Sequence, residues 1–265
     1  MKIILKTPEE IEKIKIACKL AAEVLDHVTP YVKVGVTTAE LDRICHDYMV
    51  DVQKTIPASL NYAPPGHTPY PNATCTSINH QICHGIPNDR PLKSGDILNI
   101  DLAVIKDGYY GDTSRMFMVG DVSTMAKRLC DTTLECLWLG IDIAKPGNTL
   151  GDIGHVIQKH AENQGFSIVR EFCGHGIGAN YHEAPQVVHY GQPGQGAVLK
   201  PGMVFTIEPM LNAGKRHIKE LNDGWTIVTK DHSLSAQWEH TILITEDGNE
   251  VLTVSAGSQP RPSTI

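Results

Sequence analysis

Five residues of this 265-residue chain have the types and settings needed to hold divalent cations. Asp101 and Asp112 lie in "NIDLAVIKDGYYGDTSRMFMV", which reads as two β-strands joined by a Lys-Asp-Gly turn, and both interrupt apolar runs. Glu208 in "MVFTIEPM" and Glu239 in "SAQWEHTILIT" repeat the puzzle inside further predicted strands. One such carboxylate is ordinarily a solvated, outward position of an alternating strand. Four of them point elsewhere, because carboxylates stripped of water repel one another and take up protons unless cations or dense hydrogen bonds neutralise them. His175 in "CGHGIGANYHEAP" adds an imidazole, with flanking glycines that let backbone approach a ligand closely. Such a donor set suits Mn, Fe(II), Co or Mg, and Zn is also compatible. It suffices for two ions roughly 3.5–4 Å apart that share carboxylate bridges and hold a hydroxide.

The elements that must position these residues come in two similar halves. Thr7-Pro-Glu-Glu10 is a capping box with proline in the first turn, followed by apolar residues at helical spacing from Ile11 to Val28. A second helix is expected from Thr37, through Leu41, Ile44 and Met49. After a long helix around 125–144, "KPGNTLGDI" from Lys145 repeats "KVGVTTAEL" from Lys33, "HEAP" at 182–185 answers "HGIP" at 84–87, and "LKPGMVFTIEPML" answers "LKSGDILNIDLAV". That alignment places Glu208 on Asp101 and pairs His182 with His84, which turns His84 from a turn cap into an active-site candidate. Self-similarity at half the chain length predicts two related α+β halves, not a solenoid. We expect one domain over 1–254, with halves of about 7–120 and 121–254, and a loose tail over 255–265 that is rich in Ser, Pro and Gly.

A net charge of −7 and the lack of any Lys/Arg cluster argue against direct nucleic-acid binding. Neither a secretory leader nor a run of about 18 apolar residues is evident, which predicts a cytoplasmic protein with no membrane span. Seven cysteines without a C-x-x-C pair read as reduced core residues, not as disulfides or a zinc ribbon.

Taken in order, "NIDLAVIKDGYYGDTSRMF", "CGHGIG", "HEAP", "FTIEPM" and "WEHT" closely resemble the type I methionine aminopeptidase family, over nearly the whole chain from Thr7 to about Val254. The resemblance implies the pita-bread (creatinase/aminopeptidase) fold and a metalloaminopeptidase that removes the initiator methionine of nascent polypeptides, preferably before a small residue, by attack of a metal-bridging hydroxide. It implies that Asp112 and Glu239 bridge two divalent ions (Co, Mn, Fe(II), Ni or Zn), that His175 and Glu208 complete one site, and that Asp101 completes the other. It also assigns His84 and His182 to substrate contact, Glu208 to proton shuttling, and Tyr62, Tyr70, Cys75, Tyr181 and Trp225 to the methionine pocket. Asn79 and Ser235 fit a monovalent cation site for Na or K. The stretch "APPGHTP" between Tyr62 and Tyr70 is longer than the family pattern. A monomer in transient contact with the ribosome completes the expectation. Two rivals remain: a proline-directed peptidase of the same fold, which usually carries an extra N-terminal domain, and a non-catalytic binding module, which would typically lose ligands.

Overall fold

The computed structural model describes residues 2–263. In chain order it contains α1 (Pro8–Val28), α2 (Thr38–Asp47), β1 (Ile56–Pro57), β2 (Cys75–Ile78), β3 (Gln81–Cys83), β4 (Ile97–Lys106) and β5 (Tyr109–Met118). Then follow α3 (Thr124–Ile143), α4 (Leu150–Asn163), β6 (Ser167–Ile168), β7 (Gly174–Gly176), β8 (Glu183–Val187), β9 (Val204–Ile207) and β10 (Met210–Asn212). The last strands are β11 (Ile218–Glu220), β12 (Ile227–Thr229), β13 (Ser235–Gln237), β14 (His240–Ile244) and β15 (Asn249–Val251).

Local chemistry sets the helix starts. The Thr7 and Glu10 side chains close a reciprocal capping box on α1, and Thr149 with Asp152 does the same on α4. Thr37 caps α2, whose last turn loosens into a π-turn over Tyr48–Val52 and so carries Met49 beyond the α-helix proper.

The strands explain how carboxylates come to sit among apolar residues. On β4, Leu98, Ile100, Leu102 and Val104 face α1 and α2 and form the core of the first half. The alternate face carries Asn99 and Asp101. Asp101 lies opposite Ser114 and Asp112 opposite Ala103 on β5, so the two carboxylates are diagonal neighbours on one face. In the second half, Phe205, Ile207, Ile242 and Ile244 pack with α3 and α4, leaving Thr206 on the other face of β9.

Glu208 and Glu239 depart from the expectation of continuous strands. Both fall in breaks, Glu208 between β9 and β10 and Glu239 between β13 and β14. The breaks face each other: Ile207 pairs with His240 and Met210 with Gln237, in two different sheets. Pro209 has no N–H for a ladder there, and each chain passes from one sheet to the next with its carboxylate at the crossing. A bridge from Ser114 to Glu239 joins the halves at this point.

Helix α1 lies directly on β5. A methyl group on Gly111 would come within 2.3 Å of the Ala17 carbonyl carbon and the Cys18 nitrogen, both helix backbone. Gly111→Ala must therefore push α1 off the sheet, and we expect a loss of about 3 kcal/mol, the upper end of overpacking costs. Urea unfolding measures it; an unchanged midpoint would contradict this packing.

Residues 255–263 of the tail lie along the helices. The Gly257 N–H donates to Asp26 at 3.0 Å, and Arg261 pairs with Asp142. Residues 264 and 265 are outside the described residues. Six of the seven cysteines are buried and all are free thiols. Among the described residues no helix is long and apolar enough to cross a membrane.

Candidate metal centre and substrate pocket

Asp101, Asp112, His175, Glu208 and Glu239 converge on one cavity of about 320 Å³. Single ligand atoms of Asp112, His175 and Glu239 all lie within 4.8 Å of one another. His175 Nε2 stands 3.5 Å from Asp112 Oδ2 and 3.8 Å from Glu208 Oε1, and Asp101 lines the same wall. The imidazole is oriented from behind: Nδ1 lies 3.0 Å from the Gly176 carbonyl, which assigns the proton to Nδ1 and leaves the Nε2 lone pair facing the carboxylates.

The glycines around His175 lie in close contact with neighbouring backbone. A methyl on Gly174 would meet the Thr206 carbonyl oxygen at 2.3 Å, and one on Gly176 the Ala184 carbonyl oxygen at 2.2 Å. They admit the neighbouring strands, and thereby fix His175 between β9 and β8.

The electrostatics are those of a cation site. Burial, then the nearby charges of Asp112 and Glu208, pushes the Asp101 carboxyl well above its usual range. Burial and the Asp112, Glu208 and Asp101 charges do the same to Glu239. Glu208 rises to about 7, burial and Asp112 outweighing the opposing pull of His175. Burial alone would lower His175, yet its hydrogen bond to Asp112 and the Glu208 charge raise it. Asp112 Oδ1 is buried with no hydrogen-bond partner. An unpartnered carboxylate oxygen beside three further carboxylates is stable only if positive charge neutralises the group, and oxygen donors with one imidazole are what a divalent cation of intermediate hardness takes. The residues present fit such ions.

Several supporting residues were not expected from the sequence. Thr206 Oγ1 donates to Glu208 Oε1 at 2.8 Å and accepts from the His175 N–H at 3.0 Å. Gln237 Nε2 reaches Glu208 Oε2 at 3.4 Å, and Asn99 Nδ2 donates to the Gln237 carbonyl at 2.8 Å and to Ser114 Oγ at 3.2 Å. A signal existed: Asn99, Ser114, Thr206 and Gln237 each stand two residues from a candidate ligand, on one strand face for Asn99 with Asp101 and for Ser114 with Asp112. His189 Nε2 accepts the Glu208 N–H at 3.1 Å, and no spacing rule points to it.

His189 also carries a pH consequence, shared with His240. Burial lowers His189 from the ordinary 6.5 to about 3, and burial with the Arg115 charge lowers His240 to about 4. Below pH 6.5 the unfolded chain binds protons that the folded protein refuses, so stability falls as pH drops from 6.5 toward 4; above 6.5 both histidines are neutral in either state and contribute nothing. With metal kept saturating, we expect the urea midpoint to be flat above pH 7 and to fall below it, by about 1.4 kcal/mol per histidine per pH unit. A stability constant from pH 7.5 to 5 would contradict the buried, neutral assignment.

Across the cavity stands an apolar wall. Tyr70, Cys75 and Trp225 form one buried cluster with Tyr62 and Ile86 against it. Tyr70 meets Trp225 edge-to-face at 5.2 Å, and Trp225 Nε1 donates to the Thr68 carbonyl at 3.0 Å, so the long 62–70 loop closes over the indole. Tyr62 packs edge-on to Tyr181 at 5.2 Å, and its hydroxyl lies 2.9 Å from His182 Nδ1. His182 sits 4.2 Å from His175, ring centre to ring centre. His84 has a left-handed backbone (φ 54°) and packs edge-on to Phe172, another residue not anticipated. Asn79 and Ser235 lie together outside this cavity, where the Asn79 carbonyl accepts the Ser235 N–H at 2.8 Å. The Asn79 side chain bridges Asp96 and the Ile97 N–H.

Residues 12–246 match the profile of metallopeptidase family M24. The chain is 56% identical over 255 residues to methionine aminopeptidase of Escherichia coli K12, covering 96% of this chain and 95% of that protein. It is 57% identical to the Salmonella typhimurium methionine aminopeptidase over the same shares. The crystal structure of methionine aminopeptidase from Rickettsia prowazekii superposes with a TM-score of 0.92 at 50% identity, covering 96% of this chain and all of that one. Prolidase from Pyrococcus furiosus superposes with a TM-score of 0.75 at 25% identity, covering 95% of this chain and 66% of that one.

Proposed function

This chain belongs to metallopeptidase family M24, with the pita-bread fold of that family, and on that premise we propose that it removes the N-terminal methionine from peptides and newly made proteins. The reading rests above all on one arrangement: four carboxylates and an imidazole face an apolar wall of Tyr70, Cys75 and Trp225 across a single small cavity. An unbranched thioether side chain matches such a wall, being apolar and polarisable. The M24 assignment carries divalent-metal dependence with it.

In this reading Asp101, Asp112, His175, Glu208 and Glu239 would together hold two divalent ions, with Asp112 and Glu239 serving both, His175 and Glu208 one of them, and Asp101 the other. Bound there, the ions supply positive charge that acidifies a water and polarises the scissile carbonyl. The rest is the work of side chains. Glu208, held by Thr206 and Gln237, takes the proton of the attacking water and returns it to the leaving amine. His182 donates to the carbonyl oxygen as its charge grows, and His84 contacts the peptide nitrogen. Tyr62 and Tyr181 close the methionine pocket beside them. Mn, Fe(II), Co, Ni and Zn are all candidate ions for these donors, and cellular supply decides among them. A sodium or potassium ion is assigned to Asn79 and Ser235. The enzyme is assigned to the cytoplasm, as a monomer that meets nascent chains in transient contact with the ribosome.

Methionine release from Met-Ala-Ser, set against release of the first residue from Leu-Ala-Ser, tests the reading. A pocket that discriminates by shape separates the two by on the order of 1–3 kcal/mol in kcat/KM, about 10- to 200-fold. Equal turnover would contradict the assignment of the pocket to methionine.

A further inference from the structure

The turn that carries Tyr181 and His182 is fastened by a buried ion pair from the far end of the chain. Lys6 Nζ contacts Glu183 Oε2, with only 4% and 7% of the two side chains exposed. The other oxygen of Glu183 accepts the Asn180 N–H at 3.1 Å and the Asn180 side-chain amide at 3.3 Å, closing the turn on itself. Lys6 is itself fixed: its N–H donates to the Gly202 carbonyl at 2.8 Å, and Thr7 next to it caps α1. The ammonium fills the space over Gly178, where a methyl group would meet Nζ at 2.3 Å. On its other side the turn is held by the Tyr110 N–H donating to the Gly178 carbonyl at 2.9 Å and by Tyr181 stacked on Tyr110 at 5.4 Å.

We propose that Lys6 and Glu183 are positioning residues for His182, and that the N-terminal segment acts through them to hold the substrate-contacting turn in register with the metal ligands. Glu183 directly follows His182 in the chain, so the carboxylate that binds Lys6 sets the backbone from which the imidazole projects. A buried pair of charges is a weak source of net stability, since desolvation offsets most of the attraction. Its value lies in fixing one geometry, and misplacement of a substrate-contacting group by about 1 Å can cost on the order of 10²-fold in rate.

The inference rests on the reading that His182 contacts the substrate. The test is a double-mutant cycle on metal-loaded protein, with kcat and KM for Met-Ala-Ser, bound metal and melting temperature measured for each variant. Lys6→Met combined with Glu183→Gln removes both buried charges and leaves neither unpaired, so the fold is retained. Expected is a fall in kcat of about 10- to 100-fold with KM changed less than threefold and bound metal unchanged. Lys6→Arg, which keeps the charge, should restore most of the rate. In a His182→Ala background the same double substitution should cost almost nothing further, because its effect runs through His182. Should that variant not fold, Lys6→Gln combined with Glu183→Gln, which also leaves no charge unpaired and keeps polar groups in place, carries the same comparison. Near-normal kcat, a loss that persists undiminished in the His182→Ala background, or a loss that follows metal release would each overturn the inference. Near-normal kcat in His182→Ala itself would instead sink the substrate-contact reading, a result separate from the others.

Discussion

Glu239→Gln and Asp112→Asn should each lose the divalent metal pair and methionine release together, with kcat/KM falling by at least about 10³-fold, roughly 4 kcal/mol of transition-state stabilisation. Asp112, His175 and Glu239 bring ligand atoms within 4.8 Å of one another at the seam between the halves, where Ser114 bridges to Glu239. Replacing either shared carboxylate by its amide keeps shape and volume but removes one negative charge and one strong donor, so both ions are held less tightly at once. Asp101→Asn should behave differently, because Asp101 is not part of the tight Asp112, His175 and Glu239 group and is assigned to one ion alone; one equivalent should be retained and activity only partly lost. Metal analysis of the three variants beside the parent protein decides it. Equal retention of two tightly bound equivalents in all three would contradict the bridging assignment.

His84→Ala and His182→Ala should each lower kcat by about 10²–10³-fold while leaving the metals bound and the fold intact. Neither histidine belongs to the main hydrophobic clusters. His182 projects over His175 and meets the Tyr62 hydroxyl, and His84 stands on a left-handed backbone against Phe172. A strained main chain that aims a polar ring into a substrate cavity is the sign of a placed functional group, whereas a turn cap would need neither. The measurement is kcat, metal content and melting temperature for both variants side by side. A variant that keeps near-normal kcat, or loses activity only by unfolding or dropping its metals, makes that histidine structural.

How far the sequence reveals this site depends on distance along the chain. Asp101 and Glu208 were legible because the two halves repeat, and an alignment of "LKSGDILNIDLAV" with "LKPGMVFTIEPML" superposes their carboxylates. The β4–β5 hairpin was legible from alternation alone, since one face carries Leu98, Ile100, Leu102 and Val104. The breaks at Glu208 and Glu239 were not, because a strand that changes sheets keeps its apolar pattern and only the tertiary pairing interrupts it. The flanking glycines of His175 are visible in the sequence, whereas the neighbouring backbone they admit is set by tertiary pairing. His189 and Lys6 could not be found from spacing. One meets Glu208 from 19 residues away, the other meets Glu183 across 177, and neither separation follows a helix or strand period.

Methionine release should depend on divalent cations held by Asp101, Asp112, His175, Glu208 and Glu239. The most direct measurement is methionine release from Met-Ala-Ser by protein stripped exhaustively with a chelator, then titrated with Mn or Co under anaerobic conditions, with melting temperature followed in parallel. The stripped protein should be inactive and should melt at a lower temperature, because bound ions stabilise only the folded state and relieve the repulsion among Asp101, Asp112, Glu208 and Glu239. Metal should restore activity and melting temperature together, with release saturating by two equivalents. Full methionine release from metal-free protein would contradict the account.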